Sequence, residues 1–187
     1  MGNREVLLEG AKRCLYERGY ARTTTRDIVA ASGGNLGSIG YHFGSKEALL
    51  DAALLEAIGE LSERLLKASG SDPAGLPEGW DRVMAEFEQH RSLLVAHVEA
   101  WAQIERSPEL RQRFRDFYSA ELSKGTERAR ALFPDLDVDT ARAVANVTSL
   151  LADGLVVQSL TDPQQLPSGK DIATGLRALA DSLDPQE

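Results

Sequence analysis

Residues 33–50 read GGNLGSIGYHFGSKEALL, with five glycines between Gly33 and Gly44. Glycine-rich turns let backbone amides close on phosphate oxygens, so nucleotide binding is the first chemistry to weigh. The spacing argues against it. A dinucleotide fingerprint follows a strand and opens a helix, whereas these glycines follow a capped helical segment and run Gly-x-x-Gly-x-x-Gly from Gly34 to Gly40. A P-loop needs Gly-Lys-Ser/Thr, and this chain has Gly44-Ser45-Lys46. Two short helices joined by a glycine turn and braced by a longer first helix describe a helix-turn-helix instead.

Other reactive residue types are sparse. Cys14 is the single cysteine, so no internal disulfide is expected and a reducing compartment is the natural reading. It falls on an apolar helical face, away from any base. His90 and His97 are seven positions apart, about 10 Å along a helix axis, too far to share one ion at Zn–N distances near ~2 Å. No catalytic constellation, metal or cofactor is expected.

The elements that must position these residues read as helices throughout, and the fold class is all-α. Apolar residues recur at helical spacing and sustained alternation is absent. Leu7, Ala11, Cys14 and Leu15 mark a first helix that stops at Gly19. Thr24-x-x-Asp27 is a capping box opening a short helix that carries Ile28 and Val29. Asn35 caps a third helix to about Phe43, and Ser45 a fourth to about Ala68. Ile28, Val29, Ile39 and Phe43 are expected in the core. Helical patterns follow over about 78–106, with a break near His90-Arg91, then 108–132 and 139–160, with a last helix opened by Ser168-x-x-Asp171. Linkers fall at 69–79 and 161–169.

Composition and charge bound the function. The 187 residues are 42% hydrophobic and 27% charged, with net charge −8. Residues 1–46 carry +3 and the remainder −11, an asymmetry that fits a basic head meeting a polyanion. No eighteen apolar residues run together and the N-terminal stretch lacks an apolar export region, so a cytoplasmic protein with no membrane partner is expected.

At Glu17-Arg18-Gly19-Tyr20, Thr23-Thr24-Thr25-Arg26-Asp27-Ile28 and Tyr41-His42-Phe43-Gly44-Ser45-Lys46-Glu47, the chain resembles the TetR (tetracycline-repressor-like) family of transcriptional regulators. The resemblance covers about residues 5–55. Two departures stand out: Gly34 where the family commonly has an apolar residue, expected to loosen the turn, and Gly40 where it usually has an aromatic. The resemblance implies a dimeric repressor of a double-stranded DNA operator, with a DNA-binding domain at 1–46 and an effector-binding and dimerisation domain at 47–187. The third helix would enter the major groove, with Asn35, Leu36, Ser38, Tyr41 and His42 at the bases or backbone. Arg22, Thr24, Thr25, Arg26 and Lys46 would hold phosphates. Gly37 and Gly40 either bring the helix close to DNA or pack against the first two helices.

A small-molecule effector is expected further along. On a helix through 87–104, Phe87, His90, Leu94, His97, Trp101 and Ile104 would share one face. With Phe114, Phe117 and Tyr118 they make a mostly apolar site bearing a few polar groups. Ile172, Leu176, Leu179 and Leu183, together with Ala141, Ala145, Thr148 and Ala152, form stripes suited to a homodimer interface. The alternative is a helical ligand-binding protein whose DNA-reading head is inactive.

Overall fold

The structure, a computed structural model, describes residues 2–183. Among the described residues nine α-helices span Asn3–Arg18 (α1), Thr25–Ser32 (α2), Leu36–Phe43 (α3), Lys46–Ala68 (α4), Leu76–Gln89 (α5), Arg91–Trp101 (α6), Pro108–Leu132 (α7), Val138–Thr161 (α8) and Gly169–Leu183 (α9). No strand occurs among the described residues. Local chemistry accounts for most boundaries. Thr24 Oγ1 accepts from the Asp27 amide while Asp27 accepts from that of Thr24, and Asn35 Oδ1 accepts from the Ser38 amide at 2.9 Å. Ser45 and Ser168 cap α4 and α9 in the same way. Gly33 ends α2 in the left-handed region at φ 69°, which side chains disfavour.

The chain forms two compact units and crosses between them three times, none of them at residue 46. One holds the residues through Leu61 with His90–Glu121; the other holds Ser62–Gln89 with the residues from Leu122 onward.

In the first unit α1 packs on α2, α3 and α6. Leu7, Leu15, Ile28, Leu49, Leu50, Leu54 and Leu93 are buried at its centre. Gly10 permits the α1–α2 contact, because a Cβ there would lie 2.6 Å from that of Ser32. Gly34 is equally confined: a side chain would crowd Leu7 and the Ser32 hydroxyl at 3.0 and 3.1 Å, so this glycine tightens the turn it was expected to loosen. Lys12, 7% exposed, bonds Glu9 on its own helix and Glu56 and Glu60 on α4 at 2.6, 2.9 and 2.7 Å. Burial alone would lower its pKa, but the hydrogen bonds it donates to Glu60, Glu9 and Glu56 outweigh that and hold the ammonium above its ordinary range.

In the second unit α5 packs against α9 and α8, burying Val83 and Phe87. The start of α9 is fixed to α5. The Gly169 amide donates to Asp81 at 2.7 Å, and a side chain at 169 would overlap the Pro77 carbonyl.

The helical pattern read through 87–104 is interrupted. α5 ends at Gln89, His90 stands between helices, and α6 stops at Trp101, with Ile104 in a separate 3₁₀ turn. The six residues expected on one helix face therefore do not share one, and Phe87 lies in a different unit from the rest. Val29 and Phe43, expected in the core, are only half-buried.

Candidate nucleic-acid interface

The capped turns of α2 and α3 leave one polar, side-chain-poor surface. Along α3, Leu36 and Tyr41 are 61% and 86% exposed, while Ile39, 3% exposed, anchors the opposite side. Ser38 and His42 are half-buried, and the Tyr41 and His42 rings meet edge to face at 4.9 Å. Gly40 has nothing within 4 Å of where a Cβ would stand, and Gly37 has only its own cap oxygen on Asn35, at 3.4 Å. Packing against α1 and α2 thus explains neither glycine; both leave bare helix backbone facing outward.

The N-terminus of α2 contributes its free end. Thr24 is exposed and Thr25 half-buried, with Arg22 and Arg26 exposed beside them. Two hydrogen bonds from Thr24, side chain and backbone, hold the Asp27 carboxyl below the usual range, and Arg18 pairs with it at 3.2 Å. Arg22 Nε donates to the Arg18 carbonyl, which aligns its guanidinium along the end of α1. Lys46 is more occupied than its position in the sequence suggests: Nζ donates to the Thr23 carbonyl at 3.3 Å and pairs with Glu47 at 3.4 Å. It ties the start of α4 to the start of α2 while keeping its charge near that surface.

Residues 7–53 match the family model described as bacterial regulatory proteins, tetR family. Residues 71–183 match the one described as tetracyclin repressor-like, C-terminal domain. The chain belongs to the TetR family. This TetR-family chain is 31% identical over 151 residues to the transcriptional repressor KstR2 of Rhodococcus jostii, covering 75% of this chain and 72% of that protein. It is 27% identical over 175 residues to the repressor AcnR of Corynebacterium glutamicum, covering 89% and 91%. Against AcnR of Corynebacterium efficiens the identity is 33%, over 64% of this chain and 60% of the relative. A TetR regulator of Haloarcula marismortui shares the fold at TM-score 0.65 and 19% identity, over 97% of this chain and 96% of that one. Salmonella enterica GusR does so at 0.67 and 22%, over 95% and 94%. This chain is a DNA-binding transcriptional regulator, and its relatives are regulators rather than enzymes.

Elsewhere in this TetR-family regulator, several of the expected effector residues form one aromatic cluster. His97 is 5% exposed, 4.6 Å between centroids from Trp101, and stacked on Phe114 at 5.7 Å; Phe114 leads on to Tyr118 and Phe117. Leu94 is buried on α6 as well. Burial pushes the His97 pKa down to about 4, and its Nε2 has no hydrogen-bond partner among the described residues. His90 stands apart from this cluster, 6.5 Å from the Tyr16 ring. Of the expected interface residues, Leu176, Leu179 and Leu183 are 38%, 63% and 81% exposed, Thr148 is exposed, and Ala152 and Ile172 are half-buried. Ala141 and Ala145 do not belong with them. Both are buried within their own chain, Ala145 against Gly125 of α7, so they are core residues. Val147, Leu150 and Val157 on α8, 50%, 72% and 47% exposed, are apolar groups that α8 presents beyond its first turn.

Sequence reasoning missed the contacts made at long range. Among them are the Lys12 cluster, the Tyr20 hydroxyl on Asp51 at 2.5 Å, and Glu99 on the backbone after α1. The only signal for them was three polar residues, Lys12, Asp51 and Glu99, set among apolar helical positions.

Proposed function

We propose that this regulator is a cytoplasmic homodimeric repressor that binds a near-palindromic operator and leaves it when a small molecule binds the body of the protein. Residues 1–46 form the DNA-reading head and residues 47–187 the effector and dimerisation body. The outer face of α3 carries the reading. Tyr41 and Leu36 project from it beside two glycines with no packing role. A helix so stripped can lie deep in a major groove about 12 Å wide, with Leu36 available to a thymine methyl and Ser38 to a base or phosphate. Thr24, Thr25, Arg22, Arg26, Asn35, His42 and Lys46 supply hydroxyls, amides and charge for the phosphates on either side.

The His97–Trp101–Phe114 cluster supports effector binding. It offers apolar rings around one unpaired imidazole nitrogen, and a ligand able to hydrogen-bond there would satisfy a buried polar atom. The repressor relatives support blocking over activation, since occupancy alone suffices for it. The test is a selection of genomic duplex fragments by the purified protein, followed by titration of the recovered fragment against a scrambled one at two salt concentrations. The expected result is a preference that persists at the higher salt while overall affinity falls. Equal binding to both duplexes would defeat the reading in favour of a ligand-binding protein with an inactive head.

A further inference from the structure

The backbone between α1 and α2 sets where the phosphate-facing threonines stand, and it is held by a residue from far along the chain. α1 ends at Gly19, at φ 79°, with its amide bonded to the Leu15 carbonyl at 3.0 Å. The next two amides, Tyr20 and Ala21, have left the helix and lie beyond its last acceptors. Glu99 of α6 receives both. Its Oε2 accepts from Tyr20 N at 2.9 Å and from Ala21 N at 3.1 Å, across 79 and 78 residues of sequence. A Cβ at position 19 would stand 3.3 Å from the same oxygen, so glycine lets the carboxylate come in.

The turn is held on its other sides too. The Tyr20 hydroxyl donates to Asp51 of α4 at 2.5 Å, and Thr23 Oγ1 donates to the Gly19 carbonyl at 2.7 Å. Thr24, which caps α2, is the next residue. Charge-assisted hydrogen bonds are stronger than neutral ones, and an acceptor serving two adjacent amides fixes the orientation of both peptide planes.

We propose that Glu99 is a positioning residue for DNA recognition: from α6 it holds the α1–α2 turn, and with it Thr24 and Thr25, at the height where they meet phosphate. Glu99 lies midway between His97 and Trp101 on α6. A ligand that displaces α6 at the ring cluster therefore acts on the turn through this carboxylate. The proposal rests on the reading of α2 and α3 as the DNA face.

Two substitutions separate geometry from charge. Glu99→Gln keeps one carbonyl oxygen to accept both amides and removes the charge; Glu99→Ala removes both. Amide exchange at Tyr20 and Ala21 is followed in the free protein, and affinity is measured for the duplex recovered in the genomic selection. Glu99→Ala is expected to speed exchange at the two amides about tenfold and to weaken affinity about tenfold, with Glu99→Gln within about threefold of the native protein. The salt slope stays the same in all three, because Glu99 touches no phosphate. If Glu99→Ala fails to fold, Glu99→Asp, one methylene too short to reach, takes its place with the same expectations. Unchanged exchange, changed exchange with unchanged affinity, or a Gln variant as impaired as the Ala variant each overturns the proposal. A native protein with no duplex preference overturns the DNA reading instead, and the exchange rates then still report whether Glu99 holds the turn.

Discussion

His97 and Thr24 show how much single side chains contribute here. With its pKa pushed down to about 4 by burial, His97 is neutral in the folded chain, while an unfolded histidine titrates near ~6.5. Its contribution is fully present above the unfolded value. As pH falls from about 6.5 to about 4 the unfolded state takes up a proton that the fold refuses, and about 3 kcal/mol of stability is lost. Denaturant unfolding of the native protein and of His97→Phe across that range should show a stability difference that moves in favour of the variant as pH falls. A difference independent of pH would mean that the imidazole titrates normally. Thr24→Ala, which removes the oxygen bonded to the Asp27 amide, should cost about 1 kcal/mol in thermal unfolding. The Thr24 cap was legible in the sequence because donor and acceptor are three residues apart. The burial of His97 was half legible: its apolar surroundings could be read, but the absence of a partner for Nε2 depends on every element packed around it.

Among the elements, α2 and α3 were legible because each begins on a threonine or asparagine cap and ends on a glycine, and α1 because it stops at Gly19. The break between α5 and α6 has weaker punctuation. Apolar residues keep helical spacing through His90, so the pattern runs on while the backbone does not, and Phe87 stands on α5 rather than on one face with the α6 residues. The glycines show the same division. Nothing in the local sequence marks Gly10 inside α1, yet α2 presses on it through Ser32, whereas Gly40 faces open space. Opposite outcomes are expected for the same substitution. Gly10→Ala should force α1 and α2 apart and cost about 1–3 kcal/mol. Gly40→Ala should stabilise the free protein by about 0.5–1 kcal/mol, since alanine is the better helix former and nothing obstructs its methyl. Melting temperatures of the two variants moving in the same direction would contradict the packing of α1, α2 and α3 described above.

For the whole molecule the governing features are a basic head on an acidic chain and an apolar surface that the single chain leaves uncovered. The charge division was legible by counting. The identity of the uncovered surface was only partly so: small residues on α8 suggested close helix approach, but Ala141 and Ala145 are buried within their own chain, Ala145 against Gly125 of α7. Val147, Leu150 and Val157 of α8 are exposed, as are Leu179 and Leu183 of α9. One recognition helix contacts few base pairs, so two-fold repetition over half-sites about one helical turn apart, or a multiple of it, multiplies specificity. A second copy of the chain covering these leucines would supply that repetition. Replacing Leu150 and Leu179 together by glutamate places like charges on both copies of a self-complementary surface. The variant is expected to sediment as a monomer at micromolar concentration with unchanged helical circular dichroism, and to lose at least about a hundredfold in operator affinity because its two heads no longer bind as one unit. Persistence of the dimer mass in the doubly substituted protein would place the interface elsewhere on the chain.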